Sequence, residues 1–386
     1  MKLQFQYRFL KRFASLVLLL AFGNYPAVAG NLFSGPINSP AGRYPFALAA
    51  GDFNTDGKVD MAVANNNLGT THGQVKILFG TGDGHFQKPV GYKVGAEPIA
   101  VATGDFNHDG KLDLVVVNLR EPNHTGRISV LLGNGAGTFQ NQITYKAQPS
   151  PFDVSVGDFN NDGKLDLAVV GISRSKTVAV LLGNGDGTFQ PHIKVPAIDA
   201  GHVVIGDLNG DGVPDLVISG GNNKRAIISL LGNGDGTFRT AWTIMKSPPP
   251  SAIALGDFNG DGKLDLAETV TGSPDTLNIF LGNGDGTFTG GPQFEVARSP
   301  IAMTVADFDG DGKLDIAVAS QLSGEVSVFL GLGNGNFQQP QTYALSPVAM
   351  PIEMIAADVN GDGKPDLVVT DYSNHLVSVL LNTGKK

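Results

Sequence analysis

Carboxylate and amide side chains recur in this sequence at a spacing that suits a hard divalent cation. The segment Asp-Phe-Asn-Thr-Asp-Gly-Lys-Val-Asp at residues 52–60 returns in closely related form at six further places. Ca²⁺ takes roughly six to eight oxygen ligands, and the side chains at positions 1, 3, 5 and 9, with the backbone carbonyl at position 7, can supply most of them. The glycine at position 6 permits the sharp turn. The sequence therefore predicts up to seven bound calcium ions.

The predicted ligands are four side chains and one backbone carbonyl in each loop. They are Asp52, Asn54, Asp56, Lys58 and Asp60; Asp105, Asn107, Asp109, Lys111 and Asp113; Asp158, Asn160, Asp162, Lys164 and Asp166; Asp207, Asn209, Asp211, Val213 and Asp215; Asp257, Asn259, Asp261, Lys263 and Asp265; Asp307, Asp309, Asp311, Lys313 and Asp315; and Asp358, Asn360, Asp362, Lys364 and Asp366. Asp-Gly and Asn-Gly pairs also occur in plain hairpin turns. A turn needs only two such residues, whereas every copy keeps all four oxygen-bearing side chains, so metal binding is favoured.

The spacing of the copies determines the architecture that must hold these loops. Successive copies begin 49 to 53 residues apart, which is the signature of a repeat protein. The second period contains four short apolar segments, at residues 98–102, 112–117, 127–132 and 138–145. The residue before every loop is Gly or Ala, as expected for a strand crowded near a central axis. The sequence therefore predicts an all-β, seven-bladed β-propeller of four-stranded antiparallel blades.

A second repeated phrase, Leu-Gly-Asn-Gly-Asp-Gly-Thr-Phe at residues 182–189, should form the hairpin between the third and fourth strands. No helix follows it to complete a phosphate-binding loop. The seventh copy ends near Gly384, before any fourth strand, and residues 31–36 resemble the start of one. We therefore expect the N-terminal segment to supply the outer strand of the last blade and close the ring.

Residues 1–29 have the basic, apolar and small-residue regions of a signal peptide, which leaves residues 30–386 as a single propeller domain. We expect a secreted or periplasmic monomer with no membrane span in the mature chain. There is no cysteine, so calcium is the candidate staple. The loops hold 22 of the 36 acidic residues, so the formal charge of −9 is mostly ligand charge, and no nucleic-acid surface is visible.

The Gly-Asp-Phe-Asn-x-Asp-Gly-Lys-Leu-Asp phrase, together with the Leu-Gly-Asn-Gly-Asp-Gly-Thr-Phe phrase, resembles the FG-GAP and VCBS repeats. The resemblance covers nearly all of residues 30–386. It implies the calcium-binding propeller found in integrin alpha subunits and in many exported bacterial proteins. In integrins only some blades carry the calcium loop, whereas here all seven do, which favours calcium as a general staple.

The topology of a four-stranded meander places both repeated phrases on one face and the divergent loops on the other. Divergent polar loops on a rigid scaffold are the usual place for binding. The favoured hypothesis is therefore a binding or adhesion module for an extracellular glycan or protein, with Arg127, His202, Arg225 and Tyr372 as candidate ligand-binding residues.

Two alternatives remain open. One is a propeller enzyme with an axial site, of the polysaccharide lyase or quinone-dependent dehydrogenase type, and the other is a purely structural subunit. The seven histidines show no nucleophile–base–acid spacing, so no catalytic or cofactor-binding residue is assigned besides the calcium ligands. His202 is the histidine expected nearest the axis. A catalytic site would be single and axial, whereas a lectin would repeat its pockets around the ring.

Overall fold

A computed structural model describes residues 31–67, 72–120, 126–172, 176–220, 226–245 and 248–384. Within these residues the chain forms 28 β-strands and no helix. No helix of the described residues is therefore long and apolar enough to cross a membrane. The expected signal peptide and Arg225 lie outside the described residues. Leu32–Lys386 form one compact unit.

The strands fall into four concentric sets. The innermost are β2 (Pro45–Gly51), β6 (Pro98–Gly104), β10 (Pro151–Gly157), β14 (Ala200–Gly206), β18 (Pro250–Gly256), β22 (Pro300–Ala306) and β26 (Pro351–Ala357). The second are β3 (Asp60–Asn65), β7 (Asp113–Asn118), β11 (Asp166–Gly171), β15 (Asp215–Gly220), β19 (Asp265–Val270), β23 (Asp315–Ser320) and β27 (Asp366–Asp371). The third are β4 (Gly73–Leu78), β8 (Arg127–Leu131), β12 (Thr177–Leu181), β16 (Ala226–Gly232), β20 (Thr276–Gly282), β24 (Glu325–Phe329) and β28 (Leu376–Leu380). The outer are β5 (Val90–Val94), β9 (Ile143–Lys146), β13 (Ile193–Pro196), β17 (Phe238–Met245), β21 (Phe288–Glu295), β25 (Gln341–Ala344) and β1 (Ile37–Pro40).

Each blade is an antiparallel sheet of four strands, and six of the seven follow chain order from the inside outward. The innermost strand of every blade contacts the innermost strands of both neighbouring blades, including β26 against β2. The chain therefore closes a ring of seven blades, which confirms the predicted fold. Every residue of all seven second strands is buried, because blades cover both faces of these strands.

The ring closes through the N-terminal segment, as predicted, although the paired residues differ. Strand β1 pairs antiparallel with β28, with Ile37 opposite Val379, so the strand begins after residues 31–36 rather than within them. Phe33 makes only an isolated bridge to Asn382. The same arrangement occurs in the second blade, where Phe139 bridges Gly133 and the outer strand starts at Ile143 rather than at the predicted residue 138. In these two blades the outer strand therefore begins several residues after the hairpin phrase, whereas β17 and β21 begin directly at Phe238 and Phe288.

Phe33 also takes over a packing role that is internal to the chain elsewhere. In four of the first six blades the phenylalanine after the hairpin packs edge-on against the second residue of the calcium loop in the preceding blade, as Phe139 does against Phe53 at 5.8 Å. In the last blade Phe33 is 1% exposed and contacts Phe308 at 5.5 Å and Tyr343 at 5.4 Å. This contact attaches the N-terminal segment to the joint between the sixth and seventh blades.

We expect Phe33→Ala to lower the free energy of unfolding by about 3–5 kcal/mol, because it removes a fully buried ring whose neighbours cannot all move into the space. Ile143→Ala in the outer strand β9 is the control, since Ile143 is 39% exposed. Denaturant titration of both variants measures the difference. A loss below about 1 kcal/mol for Phe33→Ala would contradict the assigned closure.

Candidate functional site

The calcium loops are shaped by hydrogen bonds from their own backbone to the predicted ligand side chains. In the second loop, the amide of Asp109 donates to Asp105 Oδ1 at 3.1 Å and to Asn107 Oδ1 at 3.0 Å, and the amide of Gly110 donates to Asp105 Oδ2 at 2.9 Å. The same three bonds recur in the other six loops. In the second loop each oxygen of Asp105 accepts one of these bonds and keeps a further lone pair for a cation.

The aspartate at position 9 is a structural tie as well as a predicted ligand. Asp265 is fully buried and accepts from the amide of Phe258 at 2.9 Å and from that of Gly282 at 2.7 Å. Its carboxylate therefore joins the calcium loop to the hairpin phrase of the same blade. Burial raises the pKa of the equivalent residues Asp60, Asp113, Asp166, Asp315 and Asp366 to about 6. These two hydrogen bonds explain why aspartate recurs at position 9 of every loop, even without a metal.

We expect Asp265→Ala to cost about 3 kcal/mol of unfolding free energy, because it leaves two buried amides without an acceptor. This loss should persist in chelator. Asp261→Ala is the matched control in the same loop, since Asp261 is exposed and supports the fold only by its short loop bonds. Denaturant titration in calcium and in chelator separates the two. Equal losses for both variants in chelator would contradict the structural role of position 9.

The donor set of the loops fits calcium. In the sixth loop Asp307, Asp309 and Asp315 offer carboxylate oxygens that all lie within 4.8 Å of one another. Hard oxygen donors converging from one tight turn are the ligands that Ca²⁺ prefers. The lysine at position 7 lies against the aspartate at position 5 in several loops, with Lys313 Nζ 2.7 Å from Asp311 Oδ2. These loops and the hairpin phrases share one face, as predicted, since Thr55 Oγ1 of the first loop donates to the Gly135 carbonyl at 3.1 Å.

A different set of titratable residues lies on the innermost strands, near the other face. The third residue of these strands is alanine in four blades, at Ala47, Ala100, Ala252 and Ala302. In the third, fourth and seventh blades it is Asp153, His202 and Glu353. All seven inner strands have a register irregularity immediately before or at this residue. Such bulges re-aim side chains and are frequent beside active sites.

Asp153 and His202 face each other from adjacent blades. His202 Nδ1 lies 3.8 Å from Asp153 Oδ2, and the side chains are 33% and 27% exposed. The amides of Val154 and Val203 donate to Asp153 Oδ1 at 2.8 Å and Oδ2 at 3.1 Å, which fixes the carboxylate. The imidazole also bonds the backbone of Ser251. Burial lowers the pKa of His202, against the opposing charge of Asp153, and burial raises the pKa of Asp153.

Glu353 belongs to the seventh blade, so it approaches this pair from another part of the wall. Burial, followed by the negative charge of Asp153, raises the pKa of Glu353 to about 8. The Met354 amide donates to Glu353 Oε1 at 3.3 Å, and the Glu353 amide donates to Thr370 Oγ1 at 3.0 Å. At neutral pH the site therefore combines a proton donor with a neutral imidazole. Groups whose pKa values are pushed apart in this way can divide the roles of acid and base.

Two other predicted ligand-binding residues, Arg127 and Tyr372, lie outside this cluster. Arg127 begins strand β8, with Nη1 3.4 Å from Thr144 Oγ1. Tyr372 is 7% exposed and packs against Tyr44, with ring centroids 5.0 Å apart. Asp153 and Glu353 were missed. Comparing the third residue of the inner strand from blade to blade would have singled them out, because four of the blades have alanine there.

A family model described as FG-GAP-like repeat matches residues 52–116, 113–169, 168–218, 207–268, 266–318 and 307–369. The chain belongs to this repeat family. Membership agrees with the calcium-loop and hairpin phrases and with the seven-bladed ring. Comparison with curated proteins gives no match.

Several solved structures share the fold of this FG-GAP-like propeller. The periplasmic gluconolactonase of Pseudomonas aeruginosa aligns with a TM-score of 0.60 at 17% identity, over 85% of this chain and 88% of that one. A candidate 6-phosphogluconolactonase of Bacteroides uniformis aligns with a TM-score of 0.61 at 16% identity, over 79% and 87%. A Lactobacillus plantarum protein aligns with a TM-score of 0.59 at 17% identity, over 78% and 85%. At this identity the likeness shows the fold alone.

The favoured hypothesis of a binding or adhesion module needs correction. Solved propellers with this fold carry lactonase names, and these names agree better with the alternative hypothesis of a propeller enzyme with an axial site. The earlier inference rested on the divergence of the outer loops and on the lack of any histidine spacing. Spacing along the chain was the wrong test, because a propeller brings together residues one blade or several blades apart.

Proposed function

We propose that this propeller is a hydrolase. Its active site lies at the channel mouth, which is the end of the space enclosed by the seven innermost strands at which these strands begin. Its substrate is an ester-like carbonyl compound, of which a sugar-acid lactone is the first candidate. The observation that carries the proposal is the replacement of alanine by Asp153, His202 and Glu353 at one inner-strand position. The lactonase names of propellers with the same fold support the substrate class. Hydrolysis of such a ring requires an acid and a base, which His202 and Glu353 supply from two different blades.

In the proposed mechanism His202 is the general base. It takes a proton from a water molecule, whose oxygen attacks the lactone carbonyl carbon to form a tetrahedral intermediate. Asp153 is a positioning residue that faces the imidazole ring of His202 and stabilises the imidazolium as it forms. The ring C–O bond then breaks, and Glu353 donates its proton to the leaving oxygen. The product is the open hydroxy acid, and transfer of the proton from His202 to Glu353 restores the site.

Water is the proposed nucleophile because the nearby hydroxyls are engaged. Ser155 Oγ on strand β10 donates to the Val203 carbonyl at 3.0 Å. Ser251 Oγ on strand β18 lies 3.1 Å from Thr271 Oγ1. In these contacts neither serine hydroxyl is hydrogen-bonded to the imidazole of His202. An activated serine nucleophile would be bonded to its base in this way. We therefore expect no acyl-enzyme and no burst of product.

The pH dependence of kcat/KM tests the assignment of acid and base. Glu353 must be protonated, so activity should fall as pH rises through about 8, the pKa of this carboxyl. His202 must be neutral, so activity should fall on the acid side only below the ordinary value of 6.5. Glu353→Gln should abolish the alkaline limb along with most of the rate. An alkaline limb that survives in Glu353→Gln would contradict the role of this residue.

We also propose that the seven loops bind calcium as a structural cofactor and that residues 1–29 direct export. The repeated loop hydrogen bonds and the carboxylate cluster of the sixth loop support the first point. The periplasmic location in the name of the Pseudomonas aeruginosa propeller supports the second. Because the loops and the channel mouth lie at opposite ends of the inner strands, calcium is assigned no step in the reaction.

A further inference from the structure

The wall of the channel has an unbalanced set of charges. The seven inner strands all lie within the described residues, and among their residues only Asp153, His202 and Glu353 are titratable. None is Lys or Arg. Burying a phosphate dianion requires cations or several charge-assisted hydrogen bonds, for which Arg and Lys are the usual donors. These strands supply Asp153 instead, whose carboxylate faces His202 and repels a phosphate group.

We propose that the axial site selects an uncharged lactone and discriminates against its phosphorylated counterpart. This inference rests on the proposed function and names its substrate class. It separates this chain from a 6-phosphogluconolactonase, although a propeller with that candidate name shares the fold. The exclusion comes from the chemistry of the wall, because no inner-strand cation can pair with a phosphate.

The apolar residues at the mouth favour the same kind of substrate. The second residue of the inner strand is Phe46 in the first blade and Phe152 in the third, and both side chains are partly exposed. Phe152 lies edge-on to the His202 ring, with centroids 6.0 Å apart. Aromatic faces bind the apolar surface of a sugar ring or a lactone ring without a charge. We assign Phe152 to the wall of the substrate pocket beside the base.

The same charges favour release of the product. Hydrolysis converts a neutral lactone into a carboxylate, which is the first negative charge that the bound molecule acquires. Asp153 lies beside the base, so the product carboxylate forms close to an acidic group. Repulsion between the two weakens product binding relative to substrate binding. We therefore expect the sugar acid to be a poor inhibitor of the reaction.

The experiment compares gluconolactone with 6-phosphogluconolactone on the purified full chain in calcium, with the uncatalysed rate subtracted. We expect kcat/KM for the neutral lactone to exceed that for the phosphorylated one at least tenfold. Ser251→Lys adds a cation at the second inner-strand position, where two blades accommodate phenylalanine. It should lower the ratio of kcat/KM for the neutral lactone to kcat/KM for the phosphorylated one. Ser251→Gln is the uncharged control and should leave it unchanged.

The outcomes distinguish this inference from the function on which it rests. Equal rates, or a preference for the phosphorylated lactone, would overturn the charge selection and leave the hydrolase in place. Hydrolysis of neither lactone would overturn the proposed substrate class, and the selection with it. A neutral preference that Ser251→Lys reduces and Ser251→Gln does not would support the inference.

Discussion

His202→Ala is expected to lower kcat/KM for lactone hydrolysis by about 10²–10⁴-fold, the usual contribution of a general base. The melting temperature should change little, because alanine is the natural residue at this position in four other blades. Loss of rate without loss of stability is therefore the signature of a chemical role. Steady-state kinetics and a melting curve on the same preparation measure both.

His192→Ala is the control for this substitution. His192 is a half-buried histidine just before the outer strand β13, on the side of the blade remote from the axis. We expect it to keep the wild-type rate. A His202→Ala protein with more than about a third of the wild-type rate would contradict the assignment of the base.

Removal of calcium is expected to lower the melting temperature by about 10–15 °C. Extracellular calcium modules bind at roughly 10⁻⁴ to 10⁻³ M, so at about tenfold excess over the dissociation constant each loop gains about 1.4 kcal/mol. Seven such loops contribute on the order of 10 kcal/mol, and the entropy of unfolding of a chain of this length converts that energy into the stated shift. Differential scanning calorimetry with calcium and with chelator measures the change.

Two further observations constrain this prediction. A metal count on the folded protein should approach seven ions at saturating calcium. Asp109→Ala should remove one ion and only its own share of the stabilisation, since Asp109 is a predicted ligand in the second loop alone. Identical melting curves in calcium and in chelator would show that the loops act as plain turns, held by the bonds to Asp105 and its equivalents.

The fold could be predicted because its determinants are local and repeated. Each calcium loop specifies a turn between two strands, and the glycine or alanine before it specifies close packing. A Cβ placed on Gly51 would lie 2.4 Å from Leu112 Cδ1 of the next blade. The start of the outer strands was less predictable, because it varies between blades. Phe139 forms an isolated bridge before its outer strand begins, whereas Phe238 and Phe288 are the first residues of theirs.

The candidate site could be predicted only in part, because it depends on residues that are distant in the sequence. His202 was expected near the axis, in a crossing between two blades, and the structure places it on the inner strand β14. Asp153 and Glu353 lie 49 and 151 residues from it and show no motif of their own. Their significance comes from the ring, which brings equivalent strand positions to a common axis. In these three strands a register irregularity lies immediately before or at the third residue.

The most direct test of the axial active site replaces all three titratable residues at once. The variant Asp153→Ala, His202→Ala, Glu353→Ala has alanine at the third inner-strand position of every blade. The measurement is the rate of gluconolactone hydrolysis by this variant and by the wild-type protein, each above the uncatalysed rate. We predict hydrolysis by the wild-type protein and none by the variant, with both proteins folded. Equal rates for the two folded proteins, or no hydrolysis by the wild-type protein, would contradict the account.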